Sequence, residues 1–311
     1  MNLTPTTGET SRLSNHFITT PQIERTSARI YEVIDDTRSS GKAKGLVICG
    51  PSGAGKSTMI KKIIKDRRIE ITDDQDFKTI YMEIPSKPTT KSMGEAFLEA
   101  LQDPFARKHG HSAEFKLLRI VGLIKTIGTE LIIFDEVQHI VEYRRNTEET
   151  SKWIKYLMNH TGVAVILIGM RETQEILNND QQLRRRFSAT VDFDRFNINN
   201  SPPSHFSSLL KTLETIIKVK SISFTTNEML QRFYYASYGL IDYLVKILDR
   251  ATLLVIKNRL EGITLEVLSQ AFADEVWSGA KDNRNPFSSQ FNFRSLIGRH
   301  EPFYKVDNDQ Q

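Results

Sequence analysis

Within Gly50-Pro51-Ser52-Gly53-Ala54-Gly55-Lys56-Ser57-Thr58, the first eight residues match the pattern G-x-x-x-x-G-K-[ST] in full. That pattern suits a polyphosphate. Glycines let the backbone wrap an anion without Cβ clashes, and successive N–H groups at a helix N-terminus form an anion nest. Lys56 would reach the β- and γ-phosphates, and Ser57 would offer its hydroxyl to Mg²⁺. Further along, Leu131-Ile132-Ile133-Phe134 delivers two carboxylates, Asp135 and Glu136. Asp135 is expected to hold Mg²⁺ through water, and Glu136 to polarise an attacking water. Following a complete phosphate loop, this pair points to hydrolysis rather than to binding alone. No segment resembles the guanine-specifying NKxD sequence, and these motifs do not name the base.

Such groups need a sheet whose strand ends converge. Short apolar runs at Leu46–Cys49, Thr79–Ile84, Leu131–Phe134, Val163–Ile168 and, more weakly, Thr190–Phe193 alternate with helix-like stretches near 57–66, 92–102, 113–126, 148–160 and 172–179. Strand and helix in alternation predict an α/β fold, a parallel five-stranded sheet with helices on both faces. Ligands then bind at the C-terminal ends of the strands, where Asp135 and Glu136 fall. A helix is expected from Pro21 to Ser39-Ser40-Gly41. From Pro202 only helical patterns follow, near 204–217, 226–236, 239–258 and 264–277. The organisation expected is an arm and helix (1–40), a nucleotide-binding core (41–200), a helical lid (201–278) and an aromatic, partly disordered tail (279–311).

Other residues admit two readings. Leu183-Arg184-Arg185-Arg186-Phe187 is either a solvated or DNA-facing charge run, or the source of an arginine that enters a neighbouring subunit's site. Arg186 is taken as that finger, with Arg184 and Arg185 as alternatives, and the reading requires an oligomer. Lys61, Lys62, Lys65, Arg67 and Arg68 sit opposite Ile60, Ile63 and Ile64, which predicts a solvated helix face. Cys49 reads as a buried small hydrophobe. His109 and His111 lack a third ligand nearby and read as loop residues. The tail carries Phe287, Phe291, Phe293, Phe303 and Tyr304 but few aliphatics. It either packs on its own domain or docks on a partner.

The chain has 311 residues, of which 39% are hydrophobic and 26% charged, enough apolar content for a core. Lys and Arg number 42 against 38 Asp and Glu, a net +4 that permits a nucleic-acid partner without requiring one. The single cysteine excludes an internal disulfide and a multi-cysteine zinc site. The longest apolar run falls far below the roughly 20 residues that span a bilayer, and Met1–Thr20 has no apolar signal core. A soluble intracellular protein without membrane partners is expected.

In this order, strand, phosphate loop, Asp-Glu, sensor strand, Arg-Phe and helical lid resemble an AAA+ P-loop ATPase. More narrowly, the chain resembles the TniB/TnsC branch of transposition regulators found in Tn7-like and CRISPR-associated transposons. That resemblance is carried by Phe17-Ile18-Thr19-Thr20-Pro21, Gly50–Thr58, Leu131–His139, Val165–Met170, Gln182–Phe187 and Asn285-Pro286-Phe287, over roughly residues 16–290. The DEVQH and Gly-Met segments are more specific than the phosphate loop. The resemblance implies ATP with Mg²⁺, slow partner-stimulated hydrolysis, and rings or filaments on double-stranded DNA. It also implies bridging of a TniQ-type target selector to a DDE transposase, hydrolysis-driven disassembly, and a cytoplasmic, nucleoid-associated bacterial protein. By the same resemblance, DNA contacts fall at 85–91 and 107–112, with Lys87, Lys91 and Lys108 as candidates. Two departures stand out. The sensor-1 position falls on Met170, a poor hydrogen-bonding residue, with Arg171 as an alternative γ-phosphate contact. The sensor-2 arginine is missing from Gly239–Leu244, where Lys246 is the nearest substitute. A helicase loader and, further off, a small-molecule kinase are the competing readings.

Overall fold

The computed structural model describes residues 12–69, 78–143, 145, 147–198 and 204–308. The first eleven residues of the expected arm, the Pro202 boundary and the last three tail residues lie outside that set, as does the Arg68 side chain. Contacts divide the chain into two units. One contains Gln22–Ser52 and Lys56–Asp194; the other contains residues before Gln22, Gly53–Gly55 and the chain from Arg195 onward.

The first unit is built on a five-stranded sheet of β1 (Gly45–Cys49), β2 (Thr79–Glu83), β3 (Leu131–Asp135), β4 (Ala164–Gly169) and β5 (Val191–Asp192). The strand order is β2-β3-β4-β1-β5, and every pairing is parallel. β1, β3 and β4 are buried along their whole length, as continuous apolar runs covered on both faces must be. Its helices are α1 (Pro21–Ser40), α2 (Lys56–Ile69), α3 (Thr90–Ala100), α4 (Ala113–Ile127), α5 (Gln138–Glu142), α6 (Thr147–Thr161), α7 (Glu175–Asn179) and α8 (Gln181–Arg184). Local chemistry sets their ends. Thr89 and Ser92 form a reciprocal capping box at the start of α3, and Ser112 caps α4. Gly128 closes α4 with φ 75°, a conformation glycine adopts at no steric cost. Phe97, Phe134 and Trp153 meet ring to ring at 6.1–6.2 Å in the core. A parallel five-stranded sheet flanked by helices is the α/β arrangement expected from the sequence.

One expectation fails inside α2. Arg67 is not on a solvated face: its Nε donates to Thr79 Oγ1 at 3.0 Å, and its guanidinium pairs with Glu130 at 2.8 Å. A guanidinium is buried where its donors are met, and here β2 and the approach to β3 supply the acceptors. Lys62 follows the expected pattern, paired with Asp66 one turn on.

The second unit is helical, with α9 (His205–Ile216), α10 (Asn227–Ser237), α11 (Ile241–Asn258) and α12 (Leu265–Glu275), then a short α13 (Tyr304–Asn308). Leu13, from the expected arm, is buried here, and its N–H donates to Asp249 Oδ1 at 2.7 Å. Of the two readings of the tail, packing on its own domain is the arrangement present. Phe287, Phe291, Leu296 and Phe303 are buried in the cluster formed by α9 to α12. Two buried arginines pin the segment. Arg232 donates to the carbonyls of Pro286 and Ser288 at 2.6 and 2.9 Å. Arg284 donates to Asn292 Oδ1, the carbonyls of Arg294 and Ser295, and Glu301. Among the described residues, no helix is long and apolar enough to cross a membrane.

Candidate functional site

Parallel order puts the C-terminal ends of β1, β3 and β4 side by side, so the loops that leave them converge. The phosphate loop leaves β1 at Gly50. Its N–H donates to the Gly169 carbonyl at 3.2 Å, and a Cβ there would overlap the Phe193 carbonyl. Only glycine fits so close an approach. Gly53 and Gly55 take φ values of 79° and 104° as the loop turns. α2 then opens at Lys56, whose ammonium donates to the carbonyls of Gly50 at 2.6 Å and Pro51 at 2.9 Å. Burial lowers the Lys56 pKa, against the opposing pull of Asp135 and Glu136.

Ser57, one residue into the helix, donates its hydroxyl to Asp135 Oδ2 at 2.8 Å. Asp135 is buried, and its Oδ1 accepts the Glu136 N–H at 2.9 Å. Among the described residues no group of three or more His, Cys, Asp or Glu stands ready to hold a metal ion. A hydroxyl–carboxylate pair beside a phosphate loop nevertheless suits Mg²⁺, which keeps several waters and binds through one or two protein oxygens plus phosphates. Glu136 turns the chain sharply with φ 55°, and its carboxylate accepts a hydrogen bond from the side-chain amide of Gln138. The site therefore has a cation for phosphate, a hydroxyl–carboxylate pair for a metal, and a fixed carboxylate one residue away.

Tyr81 escaped the sequence reading. Its hydroxyl lies 2.9 Å from Asp135 Oδ2 and 3.1 Å from Glu83 Oε1. Burial, then the charge and hydrogen bond of Asp135, raise its pKa, so the hydroxyl keeps its proton and donates. The signal was available only through strand register: Glu83 pairs with Asp135, which places Tyr81 opposite Ile133 on the neighbouring strand.

The remaining expected residues are distributed as follows. Met170 follows β4, and its N–H donates to Gln138 Oε1 at 3.1 Å. Arg171 pairs with Asp194 at 3.2 Å. At the end of α8, Arg184 donates to Asn178 Oδ1 at 2.7 Å. The backbone carbonyl of Arg186 accepts the Gly45 N–H at 2.8 Å, tying the arginine cluster to the start of β1. Lys246, in the helical unit, is paired with Asp242 one turn back on α11 at 2.7 Å. Lys87 and Lys91 flank the cap of α3, and Lys108 lies beyond its other end with its ammonium over the Phe105 ring; all three are exposed. Cys49 is fully buried, and burial pushes its thiol up to about 12.

The family model described as bacterial TniB protein matches residues 12–195. Among solved structures, the Pyrobaculum aerophilum Cdc6p is similar with a TM-score of 0.63 at 15% identity, over 85% of this chain and 70% of that one. The Aeropyrum pernix ORC2 protein, in ADPNP–ADP complexes, is similar with a TM-score of 0.60 at 12% identity, over 85% and 71%. The Aeropyrum pernix ORC1 protein in complex with DNA is similar with a TM-score of 0.59 at 16% identity, over 83% and 66%. No curated protein matches the chain.

Proposed function

The chain belongs to the bacterial TniB family, and from that premise we propose that it is an ATP-hydrolysing regulator of DNA transposition that assembles on double-stranded DNA. The observation that carries the reading is the Ser57–Asp135 hydrogen bond, which brings a complete phosphate loop and an acidic strand end into one site. Lys56 would bind the β- and γ-phosphates, with N–H groups of the loop from Ser52 to Thr58 around them. Ser57 and Asp135 would hold Mg²⁺, which neutralises phosphate charge when bound. Glu136 would accept a proton from the water that attacks the γ-phosphorus, so that ADP and inorganic phosphate leave. The fold neighbours described with ADP, ADPNP and DNA support the choice of ligands.

Assembly would proceed by head-to-tail contact, with Arg186 or a neighbour in the cluster reaching the next subunit's ATP. Lys87, Lys91 and Lys108 would meet the DNA backbone, a contact that positions without specifying sequence. The assembled protein would bridge a TniQ-type selector to a DDE transposase, whose arrival stimulates slow hydrolysis and disassembly in the bacterial nucleoid. Imaging the purified protein with double-stranded DNA, with and without ATP or a non-hydrolysable analogue, tests this. Rings or filaments that need both nucleotide and DNA are expected. A nucleotide-loaded monomer that ignores DNA rejects the assembly reading, and co-purification with a replicative helicase instead of a transposase favours a helicase loader.

A further inference from the structure

We propose that Gln138 is a positioning residue for hydrolysis, its side-chain amide tying the Glu136 carboxylate to the end of β4. The inference rests on the hydrolase reading above and extends it to a residue that touches neither phosphate nor metal. Gln138 is 4% exposed, so its amide must find partners inside the protein. A backbone N–H only donates, so the Met170 N–H, 3.1 Å away, requires Oε1 on its side. That leaves Nε2 facing Glu136 Oε2, to which it donates. The amide thus has one orientation, and it links a carboxylate at the end of β3 to the main chain at the end of β4.

The surroundings are built for this side chain. A Cβ on Gly169 would overlap Gln138 Oε1 and Thr173 Oγ1, so glycine at the last position of β4 leaves the space that the amide fills. Glu136 has a left-handed backbone at φ 55°, which a non-glycine residue keeps only when its neighbours hold it. One of these holds is the hydrogen bond from the Val137 N–H to the Ile168 carbonyl at 3.0 Å; the Gln138 amide is another. Met170 has no polar side chain to place beside the reacting phosphate. Its main-chain N–H, relayed through Gln138, orients Glu136 instead. Displacing Met170 would therefore disturb the base directly.

The test uses the full chain with DNA and compares wild type with Gln138→Met, which keeps length and volume but removes both hydrogen bonds. The expected result is a fall in kcat of about 10- to 100-fold, with KM and the Kd of a fluorescent ATP analogue within about twofold. In a Glu136→Gln background there is no base left to orient. There Gln138→Met is expected to change the single-turnover rate by less than about twofold. An unchanged kcat, an equal loss in both backgrounds, or a loss of nucleotide affinity that matches the loss in rate would overturn the proposal. Should Gln138→Met fail to fold, Gly169→Ala carries the test by crowding the same amide, and a kcat equal to wild type again overturns it. A wild-type protein that does not hydrolyse ATP removes the hydrolase reading itself, an outcome distinct from a normal wild-type rate retained by the variant.

Discussion

The Tyr81 hydroxyl shares Asp135 Oδ2 with the Ser57 hydroxyl, at 2.9 and 2.8 Å, so one carboxylate oxygen is within reach of donors from both β2 and α2. Glu83 lies 3.1 Å from the same Tyr81 oxygen. A hydroxyl has one proton, so donation to Asp135 and donation to Glu83 are alternatives. Tyr81→Phe is expected to lower unfolding stability by about 1.5 kcal/mol, the contribution of a hydrogen bond to a charged group. The pH dependence has a definite sign. Folding raises the Tyr81 pKa, so its contribution is complete below about pH 10, the unfolded value, and is lost as pH rises beyond that. Denaturant titrations of the two proteins from pH 7 to 11 check this. A difference that disappears already at neutral pH contradicts it.

Lys56→Ala and Glu136→Gln should separate binding from chemistry. Lys56 lies against the loop carbonyls where phosphate would sit, so its loss should weaken ATP binding and prevent assembly. Glu136→Gln keeps the loop and the Ser57–Asp135 pair, and should bind ATP yet leave long-lived oligomers on DNA. Equilibrium binding and the lifetime of DNA-bound species measure the two effects, and equal loss of assembly in both variants contradicts the assigned roles.

Phe287 is buried against Phe233, with ring centroids 5.1 Å apart, inside the helical unit. Phe287→Ala should cost about 3–5 kcal/mol of stability, as for other large core truncations. Removing residues 282–311 should then destabilise the helical unit before any effect on a partner is read. Thermal melting of the truncated chain, done ahead of any pull-down, decides the matter; an unchanged melt would mean the segment contributes little to the core.

Cys49 should be inert in the native protein. Its thiol is buried and pushed up to about 12, so almost no thiolate exists at pH 8. A thiol reagent should label it only as fast as the unfolded state is visited. Rapid labelling of the folded chain at pH 8 would be inconsistent with this burial.

Much of this protein was legible along the chain. The phosphate loop, the apolar runs of β1, β3 and β4, and the helix from Pro21 to Ser40 rest on local signals: glycine spacing, continuous hydrophobicity, and a proline start with a Ser-Gly stop. Asp135 and Glu136 were legible too, because a strand end after four apolar residues is a one-dimensional feature. What the chain could not display is which distant groups meet. Along the chain Arg67 groups with its lysine neighbours; in the fold β2 and Glu130 supply acceptors for it. The tail's phenylalanines have no periodicity and acquire a core only from α9 to α12. Tyr81 and Gln138 become part of the site solely because parallel pairing aligns β2 with β3 and β3 with β4. The sequence alone determined the chemistry available and the strands that carry it, since both follow from residue type and short spacing. Tertiary structure decided which side chains orient that chemistry, because hydrogen bonds between residues 32 to 78 positions apart exist only once the sheet has formed.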